Sequence, residues 1–80
     1  MKLTVFTQND CRFCGMTKGF LDDREVKYET INISDEPEYI NKYDLMGAPT
    51  VVLFDEENEE VARTTGFNPE ELGVLIDNLD

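Results

Sequence analysis

Lys2-Leu3-Thr4-Val5-Phe6-Thr7-Gln8-Asn9-Asp10-Cys11-Arg12-Phe13-Cys14 joins a strand, a short loop and the first turn of a helix. Residues 2 to 7 are β-branched, aromatic and aliphatic, which is a strand signal. Gln8-Asn9-Asp10 is polar and predicts a loop. The helix begins near Cys11 and runs to about Asp22, with Phe13, Met16, Phe20 and Leu21 as its apolar face. Gly15 and Gly19 weaken such a helix by about 1 kcal/mol each relative to alanine. They otherwise mark close packing on a strand.

Residues 26 to 33 alternate, with Val26, Tyr28 and Thr30 against Lys27 and Glu29, then Ile31 and Ile33, and predict a second strand. Ser34-Asp35-Glu36-Pro37-Glu38 starts a second helix, with Asp35 or Ser34 as cap and Pro37 in the first turn. Ile40, Tyr43 and Leu45-Met46 are its buried side, and Gly47 ends it. Thr50-Val51-Val52-Leu53-Phe54 is a continuous apolar run, as expected for a central strand. Asp55 to Glu59 turns the chain, and Glu60-Val61-Ala62-Arg63-Thr64-Thr65 returns as a hairpin. Asn68-Pro69-Glu70-Glu71 combines an Asn cap, Pro at the first helical position and Glu at the third. Leu72, Leu75, Ile76 and Leu79 then follow helical spacing. The order β-α-β-α-β-β-α predicts an α/β domain spanning residues 1–80. Its first β-α-β is parallel and right-handed, its last β-β antiparallel, and helices cover both faces of a four-stranded mixed sheet.

The chain has 80 residues, with 7 Lys plus Arg against 18 Asp plus Glu, for a net charge of −11. That balance excludes electrostatic binding to nucleic acid or to an anionic membrane surface. Hydrophobic residues make up 40%, too many for charge-driven disorder. A domain this small buries about 60% of its unfolded surface, so there is room for one site. No apolar run approaches the roughly 20 residues of a membrane span, and the N-terminus lacks a signal-peptide pattern. A reducing cytoplasm is the expected compartment.

There are two cysteines and no histidine. Missing histidine removes Cys/His zinc sites, Ser-His-Asp triads and Cys-His proteases together. Cys11 and Cys14 supply two thiolates where a structural zinc needs four ligands, so no metal and no cofactor is expected. As a staple the pair is weak: even a loop of about 15 residues yields about 3 kcal/mol, and this one is shorter. Redox chemistry explains the pair best. At a helix N-terminus, unpaired N–H groups and the positive dipole end stabilise a Cys11 thiolate. Cys14 lies one turn deeper, within reach for an intramolecular disulfide. Arg12 and Lys18 favour the thiolate, and Asp10 opposes it.

Four blocks carry a family likeness: Val5-Phe6-Thr7 leading to Cys11-Arg12-Phe13-Cys14; Thr17-Lys18 with Leu21; Ala48-Pro49-Thr50; and Thr65-Gly66-Phe67-Asn68-Pro69. Together they resemble the thioredoxin/glutaredoxin superfamily, and within it the small NrdH-type redoxins that supply electrons to ribonucleotide reductase. The resemblance implies a thioredoxin fold, with strand order 3-1-2-4 or its mirror labelling, of which only the four-stranded sheet is claimed, and a cis Ala48–Pro49 bond facing the cysteines. Any X-Pro bond has only about a 5% prior of being cis. An antiparallel third strand would start beside the end of the first, and the hairpin would return Gly66-Phe67 to the same edge. Cys11, Arg12, Phe13, Ala48, Pro49, Thr50, Gly66 and Phe67 then line a docking groove for an extended peptide or thiol, held by backbone hydrogen bonds around Pro49.

The departures are specific. Gln8-Asn9-Asp10 stands where the family often has Lys, and Gly66-Phe67-Asn68 replaces a Gly-Gly-x-Asp type segment. Both changes predict weak glutathione use. Arg12 and Phe13 replace Pro and Tyr of a Cys-Pro-Tyr-Cys motif, within a class whose potentials range from about −270 to −120 mV. The expected function is a monomeric thiol–disulfide oxidoreductase with Cys11 as nucleophile and Cys14 as resolving thiol. Ribonucleotide reductase or another disulfide-bearing protein is the client, and thioredoxin reductase or glutathione the electron source. The alternatives are a glutathione-dependent glutaredoxin, a dimer bridged by zinc or an iron–sulfur cluster, and a redox-dead interaction module. The acidic run Asp55 to Glu60 is expected to be a solvated hairpin tip at the end of the sheet away from Cys11. Tyr39 and Tyr43 are expected at the core edge, and Phe67 either in the core or in the groove wall.

Overall fold

A computed structural model describes residues 1–79; Asp80, the last residue of the expected domain, lies outside them. The elements are β1 (Lys2–Thr7), α1 (Arg12–Asp23), β2 (Glu29–Asn32), α2 (Glu38–Lys42), β3 (Thr50–Phe54), β4 (Glu60–Thr65) and α3 (Pro69–Asp77). They form a four-stranded mixed sheet ordered β2-β1-β3-β4. β1 and β2 are parallel, and β1–β3 and β3–β4 antiparallel. The order is not 3-1-2-4, because β4 neighbours its own hairpin partner, β3.

β3 is buried at all five positions and lies between β1 and β4. A strand covered on both faces has no polar side to show, hence its unbroken apolar run. Leu3, Val5, Val51 and Leu53 pack beneath Leu21 of α1 and Leu72 and Leu75 of α3. On the other face, Phe6, Val52 and Phe54 pack with Ile33, Leu45, Tyr39 of α2 and Tyr43 just after it. Each fully buried side chain of this kind contributes about 1.5–3 kcal/mol.

Three elements depart from expectation. β2 keeps only residues 29–32, because an edge strand pairs only where β1 faces it, at Thr4 to Thr7. Val26 and Tyr28 instead pack against the core from outside the ladder. α2 has no side-chain cap: Pro37 holds the cap position without one, and Ser34 is used elsewhere. Gly47 does not end it. The left-handed turn is made by Asp44 at φ 54, with the Leu45 N–H donating to the Ile40 C=O at 2.9 Å. A short polar side chain tolerates that conformation. Met46, expected on the buried side, is 88% exposed.

The buried face of α1 is Cys14, Thr17 and Leu21, with Phe13 at 55% and Met16 at 41% exposure. Packing the disulfide inward rotates those two side chains toward solvent. A Cβ on Gly15 or Gly19 would meet nothing within 4 Å, so neither glycine marks a close approach.

α3 matches its sequence signals. Asn68 caps it, its side chain accepting from the Glu71 N–H at 3.1 Å, and Pro69 takes the first turn. The acidic tip follows the register: Phe54 pairs with Lys2 at the start of β1, opposite the end that leads to Cys11. There the Asp55 carboxylate accepts from the Glu57 and Glu59 N–H groups at 2.8 and 3.0 Å.

Candidate redox site

Cys11 is itself the N-cap of α1, with extended backbone angles of φ −111 and ψ 102. Its Sγ accepts a hydrogen bond from the Cys14 N–H at 3.1 Å, taking the place a Ser or Asp oxygen usually fills. A thiolate there meets an otherwise orphaned donor and the positive end of the helix dipole. The first turn of α1 contains no carboxylate to oppose it. The two cysteines form a disulfide across a Cα–Cα distance of 5.2 Å. Cys11 is half-buried, whereas Cys14 is 2% exposed. Cys11 is therefore the more accessible residue of the pair.

Two sets of hydrogen bonds position this corner. In the loop before Cys11, the Asn9 N–H donates to Ser34 Oγ at 3.1 Å, and Asn32 Nδ2 donates to Asn9 Oδ1 at 2.9 Å. The Ser34 N–H in turn donates to Asn32 Oδ1 at 2.8 Å. The β1–α1 loop is thus tied to the residues after β2, and Asp10 turns into the helix at φ 54. The second set joins the start of β3 to the end of β4. Ala48–Pro49 is cis, and the Gly66 N–H donates to the Pro49 C=O at 2.7 Å, with Gly66 at φ 79.

Among the expected groove residues, Phe13 and Arg12 are exposed beside the cysteines, and Ala48 and Gly66 are half-buried. Phe67 is half-buried, its ring edge-on to Phe20 at 6.2 Å. Two expectations need correction. Thr50 is fully buried, and its hydroxyl donates to the Gly47 C=O at 2.6 Å, so its side chain anchors the preceding loop and does not face a ligand. Pro49 is also fully buried, and its carbonyl already serves Gly66.

Sequence reading missed Arg63. From β4 its guanidinium donates to the Tyr43 C=O at 2.6 Å, the Asp44 C=O at 3.2 Å and both Glu60 carboxylate oxygens at 2.8 and 2.6 Å. It caps the end of α2 and holds the segment that leads to Pro49. The paired guanidinium keeps the Glu60 carboxyl below its ordinary range. The sequence signal was a lone Arg in a strand otherwise rich in Thr and apolar residues. A phenol was missed as well: burial, and then the hydrogen bond to Asp22 at 2.9 Å, push Tyr28 up to about 12. Among the described residues no group of three or more Cys, Asp or Glu is arranged to hold a metal ion. No helix among them is long and apolar enough to cross a membrane.

Solved structures share this architecture. Mitochondrial thioredoxin 3 of Saccharomyces cerevisiae superimposes with a TM-score of 0.81 over 96% of this chain and 76% of its own, at 21% identity, a likeness of fold alone. The glutaredoxin-like NrdH-redoxin of Escherichia coli matches with a TM-score of 0.79 and 28% identity, covering 94% of this chain and 95% of the other. With a Cys11–Cys14 redox pair at the N-terminus of its first helix, the molecule is a thiol–disulfide oxidoreductase of the thioredoxin fold. The glutaredoxin family model matches residues 3–57. The chain is 34% identical over 79 residues to the SPbeta prophage-derived thioredoxin-like protein YosR of Bacillus subtilis (strain 168), with 99% of each chain covered. It is also 34% identical over 76 residues to glutaredoxin-like protein NrdH of Lactococcus lactis subsp. lactis (strain IL1403), covering 91% of this chain and 97% of that one. The chain belongs to the glutaredoxin family and stands near its NrdH members.

Proposed function

We propose that the chain is a cytoplasmic, monomeric reductant of protein disulfides, with ribonucleotide reductase as client and thioredoxin reductase as electron source. One observation carries this reading: half-buried Cys11 caps a helix whose first turns expose the apolar side chains of Phe13 and Met16, and Gln8 stands where a basic residue would hold glutathione. An apolar surface suits a protein client better than a charged tripeptide. Likeness to proteins named NrdH supports the client class.

In the proposed cycle the Cys11 thiolate attacks one sulfur of the client disulfide, and the other client sulfur leaves as a thiolate. Cys14, deprotonated, then attacks Cys11 Sγ in the mixed disulfide. The second client thiolate leaves and takes up a proton, and Cys11–Cys14 closes as a disulfide. Two electrons have passed to the client, and two from the reductase restore the dithiol. Residues Arg12, Phe13, Ala48, Gly66 and Phe67 would flank the docked segment.

The test is NADPH consumption with a protein disulfide as acceptor, coupled in one arm to thioredoxin reductase and in the other to glutathione with glutathione reductase. Turnover in the first arm alone is expected. Turnover in the second arm alone would make the chain a glutathione-dependent glutaredoxin and overturn the proposed electron source.

A further inference from the structure

The interior polar side chains of the described residues are of a single kind. Among the described residues, the buried polar side chains are Thr4, Thr7, Thr17, Thr50 and Thr64, and none is titratable. Cys14 is therefore buried without a neighbouring buried acid or base to manage its proton. Thr17 lies three residues beyond it, on the same inward face of α1. Side chains at that spacing are neighbours on a helix. Thr17 is fully buried, and its hydroxyl has no hydrogen-bond partner.

That isolation is unusual. A helical threonine ordinarily bonds a carbonyl of the preceding turn, and this one does not. A stranded interior hydroxyl is costly, and natural structures hold few of them. Thr50 offers the contrast: its hydroxyl is equally buried but is committed to the Gly47 C=O. Thr64, on β4, is likewise without a partner. Only Thr17 is on the helix of the reacting pair, one turn from the buried sulfur.

The structure described is the disulfide form, in which Cys14 Sγ is bonded to Cys11. Reduction frees that sulfur as a thiol or thiolate, the latter a strong acceptor for an O–H donor. We infer that Thr17 is a redox-dependent positioning residue: its hydroxyl is unpaired in the disulfide form and donates to Cys14 Sγ in the dithiol form. The inference rests on the proposed redox cycle and adds a residue to it. The hydroxyl destabilises the oxidised state and stabilises the reduced one, so it raises the reduction potential. It also holds the Cys14 thiolate ready for the resolving attack.

The test is the equilibrium between the Cys11–Cys14 disulfide and a dithiothreitol redox buffer, measured for the wild type, Thr17→Val and Thr17→Ser. Valine keeps the shape and removes the hydroxyl; serine keeps the hydroxyl. The valine variant should favour its disulfide by about tenfold or more, a shift of about 30 mV toward the reducing side. The serine variant should stay within about threefold of the wild type. Thermal unfolding of both redox forms supplies an independent reading: valine should raise the oxidised melting temperature and leave the reduced one unchanged or lower. An unchanged potential, or equal stabilisation of both forms, would overturn the inference and assign the hydroxyl a partner indifferent to redox state. A wild-type chain that never equilibrates with dithiothreitol would instead overturn the proposed function.

Discussion

Replacing Arg63 with methionine should loosen the joint between α2 and the sheet while keeping most of the side chain's apolar stem. The guanidinium makes hydrogen bonds of 2.6 and 3.2 Å to the Tyr43 and Asp44 carbonyls, and an ion pair of 2.6 Å with Glu60. Side-chain exposures of 28% for Arg63 and 35% for Glu60 leave the ion pair largely screened, worth at most about 0.5 kcal/mol. The bond to Tyr43 is partly buried and charge-assisted, and such bonds contribute about 1.5–3 kcal/mol. The bond to Asp44 is exposed, and water replaces most of it. The net loss is about 2 kcal/mol, which for a domain of 80 residues lowers the melting temperature by about 8–16 °C. The assay is thermal and urea unfolding of the oxidised protein near neutral pH. Arg63→Lys should recover less than half of the loss, since an ammonium cannot reproduce the fork. The pH dependence has a definite sign. The Glu60 carboxyl is depressed by Arg63, so its contribution is complete above the ordinary carboxylate range and lost as pH falls through the lowered value. The gap between wild type and variant should therefore narrow below about pH 4. A variant within about 0.5 kcal/mol of wild type near neutral pH would refute the clamp.

Gly19→Ala should stabilise the protein by about 0.5–1 kcal/mol in urea unfolding, because the added Cβ meets no atom and the helix gains a better former. Destabilisation would mean that the glycine has a packing role after all. Gly66→Ala should cost about 1–2 kcal/mol through its backbone alone, with Gly66→Asn milder, since φ is 79 and the space beside it is open; equal stability for all three residues would contradict the left-handed turn. Tyr28 has a raised pKa of about 12, so its contribution is present below pH 10 and declines as pH rises toward 12. Tyr28→Phe should lack that decline in alkaline unfolding, and an identical decline in both proteins would place it elsewhere.

Local chemistry was legible where it agreed with tertiary packing. The Asn68-Pro69 start, the buried run 50–54 and the return strand 60–65 all appear at their expected residues. So does the Cys11–Cys14 pair at a helix N-terminus, because strand, loop and helix signals meet there. The orientation of α1 was not legible. Hydropathy favoured burying Phe13 and Met16, but the disulfide turns Cys14 inward, and Thr17 and Leu21 follow it at helical spacing. Ser34 carried a correct signal for a capping hydroxyl, but the N–H it takes is Asn9, 25 residues away in sequence, so local pattern could not name the partner. Thr50 and Pro49 stand at the expected corner, but their burial depends on β3 lying between two strands. Arg63 is the clearest omission, since its targets are backbone carbonyls 19 and 20 residues away, which carry no residue-specific mark.

The division of labour between the two cysteines bears directly on the central claim. Each should be replaced by serine, the reduced variants mixed with a protein disulfide, and the products separated on a non-reducing gel. Cys11 is the accessible sulfur at the helix N-terminus and Cys14 is buried. Cys14→Ser should therefore accumulate a mixed disulfide through Cys11 that dithiothreitol releases, and Cys11→Ser should accumulate none. Equal trapping by both variants, or trapping by Cys11→Ser alone, would contradict the assignment of Cys11 as nucleophile.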